Sequence, residues 1–495
     1  MFDSADLEHK IDKATYRHEV PKLRDALLNA QFDLKQHGRF PVLVLIAGVE
    51  GAGKSETVNV LNEWMDPRHI KTVAFDEPTG EEREHPRMWR YWRSLPPKGE
   101  VGILFGAWHT EPILERVFGR SSNSSFEKRI AEILRLEQML ADEGTLILKF
   151  WFHLTKKQQK KRLRALEKDP RTRWRVTKRD WEYFDLFDRF EQTAVQFTRQ
   201  TSTGEAPWIV VAGADPAYRN LTVGKTLLAA MRERLDEKPV KRLPDKNPPL
   251  LPPVDKLNVL RALELDKPMT PERYGQLREK WQGRLALLSR DAKFKKTGVV
   301  AVFEGSDAAG KGGAIRRVTQ GLDARVYAGF SIAAPTEEER AQPYLWRFWR
   351  RIEPRGRFAL FDRSWYGRVL VERVEGFCTE HDYMRAYTEI NDFERELFEH
   401  GLVVSKFWLA ISKEEQLKRF RAREKTSFKR FKITDEDWRN RKKWDAYEMA
   451  VCDMVDRTST EFAPWTLVEA NNKYHARIKV LKTLCKSIEN AFDRI

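Results

Sequence analysis

Short apolar runs alternate along the chain with longer stretches in which apolar residues recur at helical spacing. The runs are rich in β-branched and aromatic residues, as buried strands are. They lie at 42–47 in the first half and at 299–304, 357–361, 402–408 and 466–470 in the second. Stretches such as 337–351 and 413–423 combine helical periodicity with charge. Because strands that alternate with helices form a mostly parallel sheet covered on both faces, the pattern predicts an α/β fold.

The chain repeats itself at a constant offset of 257 positions, the difference between Gly305 and Gly48. The segment GVEGAGK at 48–54 returns as GSDAAGK at 305–311, and the same offset pairs Trp89 with Trp346. A period of this length is too large for a solenoid. We therefore expect two copies of one globular domain.

A proline-rich segment separates the copies, with six prolines in KPVKRLPDKNPPLLPPVD at 238–255. Proline disfavours helix interiors and central strands and favours an extended spacer. We therefore predict a first repeat at 1–237, a linker at 238–258 and a second repeat at 259–495.

Each copy has a glycine-rich turn directly after a predicted strand. Residues 48–55 satisfy the pattern G-x-x-x-x-G-K-[ST], whereas in the second copy the Ser/Thr position is Gly312. In such turns backbone N–H groups face an anion at the start of a helix, and the lysine adds positive charge. Two copies in register make an ordinary strand–helix turn a poor explanation, so each half is expected to contain a phosphate-binding loop.

Two aspartates accompany the second glycine-rich turn. Asp362 follows the strand 357–361, where P-loop enzymes place a carboxylate that holds Mg²⁺; a helix cap or strand-end turn is the alternative explanation. Asp307 lies inside the turn itself. Two carboxylates beside a polyphosphate would repel it without a bridging cation. Asp307 and Asp362 therefore predict a Mg²⁺ site, with Mn²⁺ as the alternative metal.

Two arginine-rich segments have more than one interpretation. Residues 413–443 contain a dense run of Lys and Arg. Three interpretations fit this run: a basic lid over transferring phosphates, a solvated helix face, or a patch that binds nucleic acid. Their position after the strand 402–408 favours the lid. The sequence WRFWR places Arg347 and Arg350 three residues apart, either solvated beside core tryptophans or as a clamp for an extended phosphate chain.

In combination, three motifs resemble the polyphosphate kinase 2 family: GSDAAGKGG at 305–313, FDRSWYGR at 361–368, and R-F-x-x-R at 419–423 followed by Lys429 and Lys432. The resemblance covers nearly the whole second half, and the duplicated length is similar to the two-domain (class II) subgroup, described as polyphosphate:AMP phosphotransferases. It implies two tandem P-loop kinase-like domains, each a mostly parallel sheet flanked by helices with a helical lid. The implied reaction is reversible Mg²⁺-dependent transfer of a phosphoryl group from inorganic polyphosphate to AMP, giving ADP.

The same resemblance assigns roles to residues of the second repeat. Asp307 and Asp362 would bind the metal and order the acceptor phosphate. The residues implied in catalysis are Asp307, Lys311, Asp362, Arg363, Arg419 and Arg423. Taken together with the glycine pattern and the possible arginine clamp, the candidates for binding phosphate or nucleotide are Gly305, Ala308, Ala309, Gly310, Gly312, Gly313, Arg347, Arg350, Arg368, Lys429 and Lys432. Family members commonly oligomerise, so a homo-oligomer is expected.

The first repeat departs from the family's pattern at these charged positions. At the constant offset, Glu50, Phe105, Gly106, Glu111, Leu166 and Thr172 stand for Asp307, Asp362, Arg363, Arg368, Arg423 and Lys429. Phosphoryl transfer depends on a positioned metal and on compensating charge. We therefore expect the first repeat to be structural, or to hold polyphosphate without catalysing its transfer.

Composition narrows the setting and the partners. The chain has 90 Lys and Arg against 74 Asp and Glu, a net charge of +16, which fits a solvated surface or a polyanionic partner. Its three cysteines have no disulfide or metal spacing, and its apolar runs are too short for a bilayer, so a cytoplasmic protein without a membrane partner is expected. An ATP-dependent nucleotide kinase is the main rival function. A nucleic-acid-binding P-loop ATPase is less favoured, because no nucleic-acid recognition motif accompanies the loop.

Overall fold

The computed structural model describes residues 2–237, 255, 257–427 and 433–495, which fall into two compact units. One unit comprises Met1–Pro78, Arg90–Pro239 and Pro335–Trp346, and the other comprises Thr79–Trp89, Val240–Ala334 and Arg347–Ile495. Each unit thus holds most of one repeat and a short stretch numbered within the other. The limits 1–237, 238–258 and 259–495 stay a prediction, and most of the proline-rich segment lies outside the described residues.

The first repeat is a parallel sheet with helices between its strands. Its strands are β1 (Val42–Gly48), β2 (Ile70–Ala74), β3 (Val101–Phe105), β4 (Leu146–His153) and β5 (Trp208–Ala212). Its helices are α1 (Lys13–His37), α2 (Lys54–Trp64), α3 (Gly80–Arg83), α4 (Trp89–Trp92), α5 (Thr110–Val117), α6 (Asn123–Asp142), α7 (Lys156–Lys168), α8 (Lys178–Asp185), α9 (Phe187–Gln200) and α10 (Pro216–Asp236).

The second repeat has the same succession of elements. Its strands are β6 (Gly298–Gly305), β7 (Tyr327–Ser331), β8 (Phe358–Asp362), β9 (Leu402–Ala410) and β10 (Trp465–Glu469). Its helices are α11 (Pro271–Leu288), α12 (Lys311–Thr319), α13 (Glu337–Arg340), α14 (Trp346–Trp349), α15 (Val371–Glu375), α16 (Glu380–Glu399), α17 (Lys413–Glu424), α18 (Asp435–Lys442), α19 (Trp444–Thr458) and α20 (Lys473–Phe492).

Both sheets are parallel and share one topology. The order is β2-β3-β1-β4-β5 in the first repeat and, read from the corresponding edge, β7-β8-β6-β9-β10 in the second. The central strands β1 and β6 are buried almost throughout, because helices cover both faces, and this explains their continuous apolar runs. Ile46 pairs with Phe105 and Phe303 with Asp362, so the strand register follows the sequence offset. The predicted α/β fold is confirmed.

Two parts of the second repeat differ from the expected elements. The stretch 337–351 is not one helix: it contains the single turns α13 and α14, with Pro343 between them, and proline interrupts a helix. Strand β7 was not predicted, because it lies at the sheet edge with partly exposed residues and lacks a continuous apolar run. Within the described part of the chain, no helix is long and apolar enough to cross a membrane.

A buried ion pair links the sheet to α16 in the second repeat. Lys406 on β9 donates hydrogen bonds to Glu394 at 2.7 Å, to the Tyr366 hydroxyl at 2.8 Å and to the Thr458 carbonyl at 2.7 Å. The side chains of Lys406 and Glu394 are both fully buried. The hydrogen bonds compensate the cost of burying the two charges, so removing one partner should be severe.

The first repeat contains the same arrangement at the constant offset. Lys149 donates to Glu137 at 2.6 Å and to the Thr201 carbonyl, with both side chains of the pair buried. The pair is therefore a feature of the fold, kept whether or not the repeat carries the two aspartates.

We expect the substitution Glu394→Ala to lower the free energy of unfolding of the second repeat by about 3–5 kcal/mol, because it leaves the Lys406 ammonium buried without a counter-charge. The measurement is urea unfolding followed by tryptophan fluorescence. Glu489→Gln is the matched control, since it breaks the half-exposed Arg284–Glu489 pair and should cost less than about 1 kcal/mol. Equal effects of the two substitutions would contradict the prediction.

Candidate active site

The phosphate-binding loop of the second repeat joins the end of β6 to the start of α12. Gly305 has φ 150°, and a Cβ there would lie 2.6 Å from the Leu409 carbonyl oxygen, so glycine is required. Gly310, at φ 113°, precedes the first residue of α12. The Lys311 ammonium donates to the Gly305 carbonyl at 2.7 Å, which folds its side chain back over the loop. The start of α12 thus offers backbone N–H groups beside a lysine, as an anion site does.

The two aspartates line one cavity with this loop, and its volume is about 510 Å³. Asp362 ends β8, and a Cβ built on Gly312 would lie 3.7 Å from its Oδ2, so the carboxylate faces the first turn of α12. Asp307 is held within the loop: its Oδ1 accepts from Arg363 at 3.3 Å and its Oδ2 accepts from Asn440 of α18 at 2.9 Å. The structure therefore brings the two carboxylates to one place.

The two carboxylates suit an open magnesium site, in which substrate and water supply the other ligands, rather than a site made only of protein ligands. Mg²⁺ keeps several waters and is commonly bound by one or two carboxylates together with substrate phosphates. Among the described residues, no group of three or more His, Cys, Asp or Glu side chains could hold a metal. Asp307 and Asp362 are the residues that would hold the ion, with the other positions left to phosphate oxygens and water.

Arg363, which is basic, and Glu304, which is acidic, lie near the two aspartates and near each other. Burial disfavours the charge of Arg363, but Asp307 and Glu304 outweigh it and raise the pKa of the guanidinium. Glu304, at the end of β6, is 5% exposed and accepts a hydrogen bond from the Ser364 hydroxyl at 2.8 Å. Burial raises the pKa of Glu304, whereas the nearby Lys311 acts in the opposite direction.

Arg419 has a different position from the one its expected role suggests. Its guanidinium donates to Glu415, to the carbonyls of Ala308 and Ala309 in the loop, and to the carbonyls of Ala470 and Asn471, at 2.6–3.0 Å. All five N–H groups have protein acceptors. In this geometry Arg419 clamps the phosphate loop to the end of β10 and leaves no donor for a transferring phosphate.

The other candidate residues named from the sequence fall into three sets: those that line the cavity, those that do not, and those outside the described residues. Lys311, Arg423 and the loop residues 308–313 line the 510 Å³ cavity with the aspartates. Arg347 is buried and donates to the Ala333 carbonyl, Arg350 is exposed, and Arg368 pairs with Glu372 at 2.9 Å. None of these three is among the described residues that line the cavity. Lys429 and Lys432 lie outside the described residues.

Two further cavities adjoin the loop, and their walls differ in chemistry. A basic cavity of about 300 Å³ shares residues 308–310 with the central one and is lined by Arg316, Arg419, Arg423, Lys473 and Arg477. An apolar cavity of about 290 Å³ shares Asp307 and Arg363 with the central one and is lined on its far side by Leu370, Trp444 and Val451. Sequence reasoning missed Arg316, Lys473 and Arg477, although their absence from the first repeat, at Asn59, Pro216 and Asn220, was a readable signal.

In the first repeat, the cations beside the equivalent loop form ion pairs with two glutamates. The Lys54 ammonium donates to Glu50 at 3.0 Å and lies 5.5 Å from the centre of the Phe105 ring, which replaces Asp362. Glu56 of α2 forms ion pairs with Arg162 at 2.8 Å, Arg175 at 3.4 Å and Arg219 at 3.0 Å. The cations beside this loop thus have carboxylate partners within the repeat.

Comparison with known proteins agrees with the motifs and the fold. The family model of polyphosphate kinase 2 matches residues 10–239 and 269–494, one match in each repeat. The chain belongs to the polyphosphate kinase 2 family. Kinases of this family are generally dependent on a divalent metal. The resemblance inferred from the three motifs is confirmed.

Relatives of similar length share the whole two-repeat arrangement. The chain is 55% identical over 494 residues to a polyphosphate:AMP phosphotransferase of Pseudomonas aeruginosa, with 100% of both chains covered. It is 53% identical to a polyphosphate:AMP phosphotransferase of Pseudomonas syringae pv. tomato, covering 100% of this chain and 99% of that one. A crystal structure of a Pseudomonas aeruginosa PA01 protein superposes with a TM-score of 0.90 at 53% identity over all of both chains.

We expect Gly305→Ala to lower the thermal unfolding midpoint, because the added Cβ would meet the Leu409 carbonyl and β9 cannot withdraw from β6 without breaking the sheet. Overpacking of this kind costs about 1–3 kcal/mol. Gly275→Ala in α11 is the control, since a Cβ there meets nothing within 4 Å and alanine favours helix. Calorimetry should show a lower midpoint for the first variant and an unchanged or higher one for the second; the reverse order would refute the account of the loop.

Proposed function

We propose that this protein transfers a phosphoryl group reversibly from inorganic polyphosphate to AMP, giving ADP, with Mg²⁺ as the cofactor and Mn²⁺ as the alternative. The observation that carries the proposal is the cavity in which Asp307 and Asp362 meet the phosphate loop. The full-length relatives named polyphosphate:AMP phosphotransferase support the choice of substrates.

The three cavities provide a path for the two substrates. The basic cavity suits an unbranched polyanion, because its cations can neutralise successive phosphates of a chain. The apolar cavity, with Trp444 and Leu370 in its wall, suits a nucleoside whose phosphate points towards Arg363. Since both cavities open onto the loop, the terminal phosphate of the donor and the phosphate of AMP would meet between them.

The chemistry requires few protein groups. An oxygen of the AMP phosphate attacks the terminal phosphorus of the chain, a P–O–P bond breaks, and a polyphosphate shorter by one unit leaves. Catalysis of such a step rests on alignment and on neutralising charge. Lys311, Arg363 and Arg423 would offset the charge of the transferring group, while Asn440 and Arg363 fix the Asp307 carboxylate. Asp307 and Asp362 are the residues that would hold a magnesium ion, which would supply positive charge beside the phosphates.

We propose that the reaction takes place in the second repeat. In the first repeat Phe105 stands where Asp362 would hold the metal, and Glu50 and Glu56 form ion pairs with the cations beside the loop. A polyphosphate would have to compete with these glutamates. We therefore propose that the first repeat does not catalyse the transfer.

Two other functions remain to be separated by experiment. An ATP-dependent nucleotide kinase would share the loop and the carboxylates but use another donor, and a nucleic-acid-binding ATPase would use the basic cavity as a binding track. Incubation of the protein, Mg²⁺ and AMP with either long-chain polyphosphate or ATP distinguishes the donors. A homo-oligomer and a cytoplasmic setting stay predictions.

The two P-loop lysines give a matched test of which repeat is active. We expect Lys311→Met to reduce polyphosphate-driven ADP formation by about 100-fold or more, because the cavity beside the phosphate loop loses a positive charge. Lys54→Met should stay within about twofold of the parent. Initial rates of ADP formation, measured by anion-exchange chromatography, decide the matter, and a larger effect of Lys54→Met would move the active site to the first repeat.

Metal dependence should reside in the two aspartates. We expect chelation with EDTA to stop the reaction and added Mg²⁺ to restore it, and we expect Asp362→Asn to remain inactive at every Mg²⁺ concentration because the ion loses a charged ligand. The rate is measured against free Mg²⁺. Asp323→Asn, a surface carboxylate paired with Arg325, is the control and should follow the parent. Substantial turnover by Asp362→Asn would exclude Asp362 as a metal ligand.

A further inference from the structure

The turn after β8 carries an arginine in a conformation that usually requires glycine. Arg363 has φ 64°, in the left-handed region that side chains with a Cβ rarely adopt. The equivalent residue of the first repeat is Gly106, with φ 66°. Both repeats thus have a left-handed φ at this position, but only the second carries a side chain there, and that side chain reaches Asp307. A non-glycine residue in this conformation costs of order 1–3 kcal/mol and persists where its surroundings fix it.

A buried hydrogen bond fixes the residue that follows. The Ser364 hydroxyl donates to Glu304 Oε1 at 2.8 Å, and Ser364 is 1% exposed. The Ser364 Oγ also accepts from the Tyr366 amide at 3.3 Å, while the Arg363 amide donates to the Phe303 carbonyl at 3.1 Å. The bond therefore ties the turn after β8 to the last residues of β6, next to the phosphate loop.

The first repeat lacks both members of this pair. At the constant offset Ala47 stands for Glu304 and Ala107 stands for Ser364. By contrast, the buried pair Lys406–Glu394 is kept as Lys149–Glu137. A pair needed by the fold is present in both repeats, whereas the Glu304–Ser364 pair accompanies the arginine and the two aspartates. The glycine of the first repeat takes the left-handed conformation without such support.

We infer that Glu304 and Ser364 are a positioning pair for phosphoryl transfer: their hydrogen bond holds the turn that presents Asp362 and Arg363 to the phosphates. Neither residue is assigned a part in the bond changes. This inference rests on the proposed function, since it concerns the same site. It predicts a defect in the catalytic step, because misplacement of charged groups by an ångström costs far more in rate than in binding.

The test is a double-mutant cycle in the full-length protein. We expect Ser364→Ala to lower kcat for ADP formation by about 10–100-fold, with KM for AMP and for polyphosphate changed by less than about threefold. Glu304→Ala should show a similar fall, and the double variant should lose no more than either single one, since both remove one hydrogen bond. Glu304→Gln keeps an oxygen acceptor for Ser364 and should retain more activity than Glu304→Ala.

Ser405→Ala is the matched control for Ser364→Ala. Ser405 on β9 is also buried, at 5% exposure, and its hydroxyl has no hydrogen-bond partner within the described part of the chain. Its kcat should equal that of the parent. Thermal unfolding of all variants accompanies the kinetics and shows whether each variant is folded at the assay temperature.

Three outcomes would overturn the inference: a kcat of Ser364→Ala within twofold of the parent, losses of the single variants that multiply in the double variant, or unfolding of both single variants below the assay temperature, which would assign the pair to the fold. Failure of the proposed function is distinct from these, because the parent itself would then form no ADP from polyphosphate and AMP.

Discussion

A phosphate loop concentrates positive charge, and that charge needs a counterpart. Backbone N–H groups at a helix start and a lysine beside them are favourable only next to an anion. In the first repeat the anions belong to the chain, since Glu50 meets Lys54 and Glu56 meets the arginines around α2. In the second repeat Gly313 stands where Glu56 would be, and the loop faces a cavity of about 510 Å³ that has room for phosphates. The two repeats thus differ in the source of the anion that balances the charge of the phosphate loop.

The positions of individual Lys and Arg residues matter more for binding an anion than the net charge of the chain. Several cations of 413–427 and 433–443 have partners within the protein: Arg419 donates to loop carbonyls, and Arg439 and Lys443 both contact Glu375 at 3.0 Å. These contacts hold α17 against the phosphate loop and α18 against α15. The cations that line the basic cavity come from three helices: Arg316 from α12, Arg419 and Arg423 from α17, and Lys473 and Arg477 from α20. Net charge could indicate a polyanionic partner, but only the fold shows which residues meet it.

The sequence predicted features that depend on neighbouring residues better than features that depend on contacts between distant segments. Periodicity located β6, β8 and β9, which are buried almost throughout, and the mostly apolar edge strand β10. It missed the more exposed edge strand β7 and joined α13 to α14 across Pro343. Motif spacing indicated that Asp307 and Asp362 would share a site, and the structure places both at one cavity. The role of Arg419 could not be read in this way, because its carbonyl acceptors at Ala308, Ala309, Ala470 and Asn471 are brought together only by tertiary folding.

Duplication turns the chain into its own comparison. Both repeats have the same sheet order and the same strand register, and both have a residue with left-handed φ after the third strand along the chain. Differences between the repeats are therefore not differences of fold. A residue kept in both, such as the lysine of the buried ion pair, is explained by packing. A residue present only beside the two aspartates, such as Glu304, requires another explanation. Because a buried carboxyl group costs free energy that an alanine at the same position does not, its presence in one repeat points to the reaction rather than to stability.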